Sequence, residues 1–447
     1  MSMEAGAGAL PPQDAELGVN REGHLTVAGC DAVELAHRFG TPLYVLDELA
    51  VRRRCRAYRR ELAAWGADHG VIYASKAFMA KGICRLMDQE GMHLDVVSGG
   101  ELFTAISAAF PPERIFFHGN NKTPEEITYA LEAGIGRFVV DNLAELELLE
   151  ELAARRGVRA AALLRITPGI EAHTHEYVRT GSIDSKFGFT LTTGEAMAGV
   201  RRALELSHVE LKGLHCHIGS QILETEPFAL AARVMVDLLD QVRRETGVCL
   251  GEVDLGGGLG IRYTAEDRPP TVADFAAATA GNVRRRAEEL GLRPPRVLVE
   301  PGRSIVGEAG VTLYTVGSAK EVPGVRYYLG VDGGMGDNPR PALYGAVYRG
   351  LLADRPLAAP EGTVTVAGHC CESGDVLIRD LPLPHARRGE ILAVLATGAY
   401  NYSMASDYNR FPRPAAVLVR EGQAKLLIRR ETYQDVASLD ELPEMQP

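Results

Sequence analysis

No stretch of this chain is long and apolar enough to read as a membrane span, which takes roughly 18 consecutive apolar residues. Positive charge is also scarce: Lys+Arg total 48 against 59 Asp+Glu, a net charge of -11. The densest basic run, Arg52-Arg53-Arg54 with Arg56, Arg59 and Arg60, falls on an expected helix and reads as a solvated face. Nucleic acid and anionic membrane surfaces are therefore excluded as expected partners. The seven cysteines are odd in number, scattered and without a C-x-x-C pair. That excludes a disulfide framework and a structural zinc site, and leaves reduced thiols. The first eighteen residues lack the basic start and apolar core of a signal peptide, so the expected location is the cytoplasm.

What remains is an ordinary globular composition, 46% hydrophobic and 24% charged over 447 residues. That length suits two or three domains. Residues 1–20 are Gly, Ala, Pro and acidic, the composition of a loose terminus. Short apolar runs between residues 21 and 48, Leu25-Thr26-Val27 and Leu43-Tyr44-Val45-Leu46, read as strands. From residue 49 to 302 strand-like runs alternate with helical stretches. They start at Val71, His93, Ile115, Phe138, Ala161, Leu211, Val253 and Val297. Eight strand-then-helix units match a (β/α)8 TIM-like barrel, with a doubly wound open sheet as the alternative. From residue 303 to 447 the alternation gives way to short strands between Pro and Gly turns, an all-β barrel or sandwich domain. The early strands have no evident partners of their own and are expected to join it.

In a barrel the chemistry collects at the C-terminal strand ends. Lys76 stands there after Val71-Ile72-Tyr73-Ala74, where a desolvated amine can condense with an aldehyde cofactor. Asp95, Ser98, His118, Asp141, Arg165, His217 and Glu300 occupy the other ends. Gly256-Gly257-Gly258-Leu259-Gly260 is not a dinucleotide fingerprint; it reads as a turn or as backbone N–H groups closing on a phosphate. His215 and His217 share one strand face, either as a packed histidine beside one at the mouth or as a metal pair. In the β domain, Arg340 and Tyr344 form a carboxylate-sized fork. Further polar loops carry Cys370-Cys371-Glu372 and Tyr400.

Seven motifs in order, Tyr73-Ala74-Ser75-Lys76-Ala77, Lys186-Phe187-Gly188, His215-Cys216-His217-Ile218-Gly219-Ser220-Gln221, the Gly256–Gly260 run, Glu300-Pro301-Gly302-Arg303, Arg340-Pro341-Ala342-Leu343-Tyr344-Gly345 and Cys371-Glu372-Ser373-Gly374-Asp375, make the chain resemble the pyridoxal-phosphate decarboxylases with a barrel and a β domain. The diaminopimelate decarboxylases are the nearest branch. The resemblance implies pyridoxal 5'-phosphate on Lys76, His217 stacked on its ring, and Glu300 at the ring nitrogen. It implies a phosphate held by Ser220, Gly257, Gly258, Gly302 and Arg303, and Tyr400 as a contact to cofactor and substrate. Arg303, Arg340 and Tyr344 would clamp a distal carboxylate, Glu372 would meet a distal ammonium, and Cys371 would return the proton to the α-carbon. No metal is implied. A homodimer with shared sites is, together with decarboxylation of meso-2,6-diaminopimelate to L-lysine. Two departures stand out: Pro339 replaces an expected aliphatic residue, and Cys370 adds a second thiol. An ornithine, lysine or carboxynorspermidine decarboxylase would share the fold but leave the distal arginines unused. An alanine racemase would place Arg where Glu300 stands, and a metal-dependent barrel hydrolase would use His215 and His217.

Overall fold

The computed structural model describes residues 10–66, 68–170 and 185–445. The chain divides into two compact units. One consists of Arg52–Ile261 and Asp267–Ile305; the other takes the chain up to Val51, Arg262–Glu266 and everything from Val306 onward.

The first unit is a closed parallel barrel. Its strands are β1 (His69–Ala74), β2 (His93–Val96), β3 (Ile115–Phe117), β4 (Arg137–Val140), β5 (Ala160–Thr167), β6 (Val209–Cys216), β7 (Glu252–Asp254) and β8 (Arg296–Val299). Each pairs with the next in sequence, and β8 returns to β1 through Val299↔Val71. All eight expected strands are present, and closure excludes the open-sheet alternative. A two-residue strand, Phe189–Thr190, hangs on β5 outside the cycle. Ile72, Phe116, Val139, Leu163 and Leu298 meet as a buried layer of alternate inward-facing residues. Most strand residues are buried because both faces are covered, and the polar ones include Asp95, Arg165, His215 and Asp254.

The helices between them begin and end where the sequence dictates. Pro124–Ala133 opens on a reciprocal capping box between Thr123 and Glu126, with Pro at its first turn, and stops at Gly134 in the left-handed conformation. Leu143–Arg156 is capped by the Asn142 side chain and stops at Gly157 in the same way. Such sharp stops deliver the chain to each new strand at a fixed point, and so fix what stands at the barrel mouth.

The second unit is built around a sheet in the order Val376–Leu383, Gly362–Ala367, Arg326–Val331, Gly310–Val322, Leu43–Asp47, Ala415–Arg420, Gln423–Ile428. Strand Ile391–Leu395 also pairs with the long Gly310–Val322 strand and with Gly350–Leu352. The early strand Leu43–Asp47 sits between two late ones, antiparallel to Gly310–Val322 and parallel to Ala415–Arg420. The strand Leu25–Val27 belongs to the same unit, as expected, but does not lack partners: it pairs with Leu17–Val19 and Cys30–Asp31 in a three-stranded sheet. Leu17–Val19 also corrects the loose segment expected there. Leu25 and Val27 pack in one core with Val45, Leu313 and Val417.

Candidate functional site

At the barrel mouth, β1 runs directly into a 3-10 turn, Ser75–Ala77, that carries Lys76. Its Nζ stands 3.7 Å from Oδ2 of Asp95, which lies opposite Ala74 in the β1–β2 register. Asp95 is fully buried while the lysine side chain is 44% exposed, so the amine is reachable from solvent and steered by a carboxylate that is not. His217, just beyond β6, takes the Gly257 N–H on its Nδ1 at 3.3 Å. Burial, then the Lys76 and Arg165 charges, push this imidazole well below its usual range, so it offers a neutral ring face.

Glu300, at the end of β8, is the most heavily braced group. Burial pushes its carboxyl up, but His118 and His215 outweigh that and hold it well below the ordinary carboxylate range. Its Oε1 lies 2.8 Å from His118 Nε2 and its Oε2 lies 3.3 Å from His215 Nε2. Asp254, beside His215 in the β6–β7 register, is also fully buried. Burial and the Glu300 charge push its carboxyl well above the ordinary range, so of two neighbouring carboxyls one is ionised and one protonated.

The glycine loop shows why it contains no side chains. A Cβ on Gly257 would fall 2.1 Å from the Glu300 carbonyl oxygen, and one on Gly258 2.4 Å from that of Gly219. The loops after β6, β7 and β8 thus touch backbone to backbone. Beside them Arg303 donates from Nη2 to Ser220 Oγ at 2.9 Å and from Nε at 3.3 Å, leaving the hydroxyl proton to point elsewhere. The Lys186-Phe187-Gly188 motif has a structural part as well. Phe187 lies under the Arg165 guanidinium, 4.2 Å from centroid to Cζ, and the Gly188 N–H donates to Asp141 at 3.0 Å.

These groups fit pyridoxal phosphate on chemical grounds. A reachable amine, a neutral ring, a buried anion and a side-chain-free loop with a guanidinium beside it match an aldehyde, a flat ring, a basic ring nitrogen and a phosphate. His215 and His217 do not form a pair: one turns to Glu300 and the other to Gly257. His118, His215 and Glu300 do offer three ligand atoms within 4.8 Å of one another, a trio the sequence pattern does not reveal.

The second unit carries the remaining groups. Arg340 is buried and donates from Nη1 to the hydroxyls of Tyr263 and Tyr348 at 2.8 and 3.0 Å, with the Tyr344 ring 5.9 Å away. The two tyrosines were not legible as partners, since Tyr263 follows the glycine loop far away in sequence. Pro339 is accommodated: it precedes the short helix Arg340–Tyr344 with φ -75 and ψ -11, which proline adopts without strain. Cys371 and Glu372 are exposed on a turn. The Cys371 N–H donates to Asn409 Oδ1 at 2.7 Å, and Glu372 Oε1 accepts the Gly374 N–H at 3.2 Å. Cys370 is half-buried, and burial pushes its thiol up to about 11. Tyr400 holds φ 62, a left-handed conformation rare for a non-glycine residue.

Comparison with known proteins agrees with this chemistry. Residues 48–307 match the pyridoxal-dependent decarboxylase, pyridoxal binding domain. The diaminopimelate decarboxylase of Bacillus subtilis (strain 168) is 51% identical over 421 residues, 94% of this chain and 96% of its own. That of Synechocystis sp. is 46% identical over 434 residues, 95% and 92% of the two chains. The crystal structure of diaminopimelate decarboxylase from M. jannaschii in co-complex with L-lysine superposes with a TM-score of 0.89 at 37% identity, covering 96% of this chain and 98% of that one. With a lysine just past the first barrel strand and a buried carboxylate just past the last, this chain belongs to the pyridoxal-dependent decarboxylases, in the diaminopimelate decarboxylase family.

Proposed function

We propose that this protein uses pyridoxal 5'-phosphate to decarboxylate meso-2,6-diaminopimelate, giving L-lysine and carbon dioxide in the last step of lysine biosynthesis. The observation that carries it is Glu300: a buried carboxylate kept ionised between two imidazoles is a costly group to maintain unless it faces a cation. A protonated ring nitrogen is such a cation. When bound, the cofactor supplies an electron sink conjugated to the substrate's α-carbon.

The chain's own residues do the rest. Lys76 would hold the cofactor through its amine, and the substrate's amine is the group that would compete for the same aldehyde. His217 backs the ring with a neutral face, and Glu300 keeps the ring nitrogen protonated. Ser220, Gly257, Gly258, Gly302 and Arg303 hold the phosphate, with Tyr400 closing on cofactor and substrate. Arg303, Arg340 and Tyr344 take the distal carboxylate, Glu372 the distal ammonium, and Cys371 delivers a proton to the α-carbon once carbon dioxide has left. Arg340 already has its Nη1 committed to two tyrosine hydroxyls, which aims the rest of the guanidinium.

Cys371 and Glu372 are exposed, which suits a role in a site completed by a second copy of the chain, so the working unit is a homodimer. A thiol as proton donor fits a reducing cytoplasm. Among the described residues no helix is long and apolar enough to cross a membrane.

The test is a visible spectrum of the purified protein before and after borohydride, followed by assay of carbon dioxide release. A visible band that borohydride removes, with gas and lysine formed from meso-diaminopimelate but little gas from lysine or ornithine, is the expected result. Equal turnover of ornithine would overturn the substrate assignment. A colourless protein that stays inactive with added pyridoxal phosphate would overturn the cofactor.

A further inference from the structure

Glu300 cannot hold its charge alone. It lies at the end of β8, fully buried, with the buried Asp254 carboxyl on β7 as a near neighbour. Left to themselves, two carboxyls in a dry site share protons in whichever way is cheapest, and either could keep one. Glu300 must remain the anion if the ring nitrogen opposite is to keep its proton. What distinguishes the two acids is their imidazole neighbours. His118, just past β3, brings Nε2 to 2.8 Å from one Glu300 oxygen, and His215, on β6, brings Nε2 to 3.3 Å from the other. The two histidine rings meet edge to face, 5.0 Å apart at 69°, so each limits how the other can turn. An imidazole nitrogen facing a carboxylate oxygen carries the hydrogen, which assigns the Nε2–H tautomer to both rings.

We propose that His118 and His215 are positioning residues for Glu300: His215 hydrogen-bonds one oxygen of its carboxylate, His118 sets its Nε2 at ion-pair distance from the other, and together they hold it as the anion that keeps the cofactor's ring nitrogen protonated. The proposal rests on the reading that Glu300 meets that nitrogen. It goes further by assigning the charge state to a pair of histidines on other strands that touch neither substrate nor cofactor in this role. Each carboxylate oxygen has two lone-pair directions, so the histidine contacts leave one free for the ring N–H. Burial, with Glu300 opposing it, lowers the His215 pKa to about 4, which agrees with a neutral ring that donates through Nε2 and carries no charge of its own. A bound divalent ion is a poorer account of the same trio. Ligand atoms sharing a tetrahedral zinc at about 2.0–2.2 Å stand roughly 3.3 Å apart, whereas His118 Nε2 and the Glu300 oxygen are in direct contact at 2.8 Å.

The experiment is nitrogen NMR of the holoenzyme loaded with pyridoxal phosphate labelled with 15N in its ring, on the wild type and on Glu300→Gln, His118→Phe, His215→Phe and the conservative His118→Gln and His215→Gln. In the wild type the ring nitrogen resonates as protonated. Glu300→Gln shifts it toward the unprotonated position. Each Phe variant is expected to shift it the same way and to lower kcat by roughly 10- to 100-fold, the usual cost of losing an outer partner, with KM within about twofold. Each Gln variant, which puts an amide N–H near the lost Nε2–H, is expected to return the resonance most of the way. If Glu300→Gln shifts the resonance and neither Phe variant does, the histidines have no such role and the inference is wrong. If Glu300→Gln leaves the resonance in place, Glu300 does not meet the ring nitrogen, and the inference falls together with the reading beneath it. Should a Phe variant fail to fold, the smaller His→Asn change at the same position carries the same readout, because its amide cannot reach the Glu300 oxygens.

Discussion

The carboxyl cluster of the barrel and the Cys371–Glu372 turn of the sheet unit stand in opposite conditions, although Lys76 in the barrel is exposed and Arg340 in the sheet unit is buried. In the barrel Glu300, His215 and Asp254 are buried and fixed by one another, and the Gly257 and Gly258 backbone leaves no room for even a methyl group. In the sheet unit Cys371 and Glu372 stand exposed on a turn, held by hydrogen bonds within the turn and by one from the Cys371 N–H to Asn409. The buried set is ready before anything binds, because low dielectric makes its charges strong and its neighbours make them immobile. The exposed set is weak in water and gains strength only when a further surface covers it.

That contrast can be broken most forcefully at Lys76. Lys76→Ala is expected to lower kcat by about 10^3-fold or more and to abolish borohydride labelling, since its amine is the proposed point of attachment of the cofactor. Near wild-type turnover would remove the lysine from the mechanism. On the exposed side, Cys371→Ser is expected to lower kcat by roughly 10^2-fold while cofactor affinity stays the same. An unchanged rate would pass the proton donation to another group, with Cys370 the first to test. Arg340→Ala should weaken meso-diaminopimelate by roughly 10- to 100-fold, the worth of a hydrogen bond to a charged group, and weaken lysine far less. Equal losses for both would take Arg340 out of the carboxylate clamp.

The smallest effect sharpens the comparison by asking whether the sheet unit has a buried acid of its own. Burial pushes the Asp337 carboxyl up to about 7, against the opposing hydrogen bonds from the Tyr314 hydroxyl and the Gly334 N–H. Its pKa in the folded chain is therefore above the roughly 3.9 of an unfolded aspartate. The folded state binds the extra proton between those values, so this stabilisation is complete below about pH 4 and is lost as pH rises through about 7. Asp337→Asn should remove that slope. The stability difference between wild type and variant should change by on the order of 2 kcal/mol between pH 4.5 and 7.5 in chemical denaturation. A constant difference across that window would show that Asp337 titrates like a surface acid.

The sequence made the barrel legible because each β strand is an apolar run cut off by a cap or a glycine, as at Thr123 and Gly134. It made Lys76, His217 and Glu300 legible because strand ends in a barrel are a place as well as a pattern. Other features were hidden for physical reasons. Strand Val376–Leu383 contains Arg379, Asp380 and Pro382, which disrupt its alternation, and Asp380 adopts a positive φ of 51. Asp254 reads as the polar start of a glycine turn, whereas the β6–β7 register sets it beside His215 in the interior. The tyrosine partners of Arg340 join residues 77 positions apart in one case, a pairing that no local pattern records.

The strand Leu43–Asp47 has a consequence in time. All five of its residues are buried, and its two sheet partners begin at Gly310 and Ala415. The Pro42 carbonyl just before it accepts from Arg430, a separation of 388 residues. At roughly 5–20 residues per second on the ribosome, that edge waits on the order of 20 to 80 s for its last neighbour. The barrel strands are all synthesised within that interval, whereas the sheet unit stays an open, apolar edge until translation is nearly done. A message truncated shortly before Ala415 thus leaves one side of that strand without the partner that covers it.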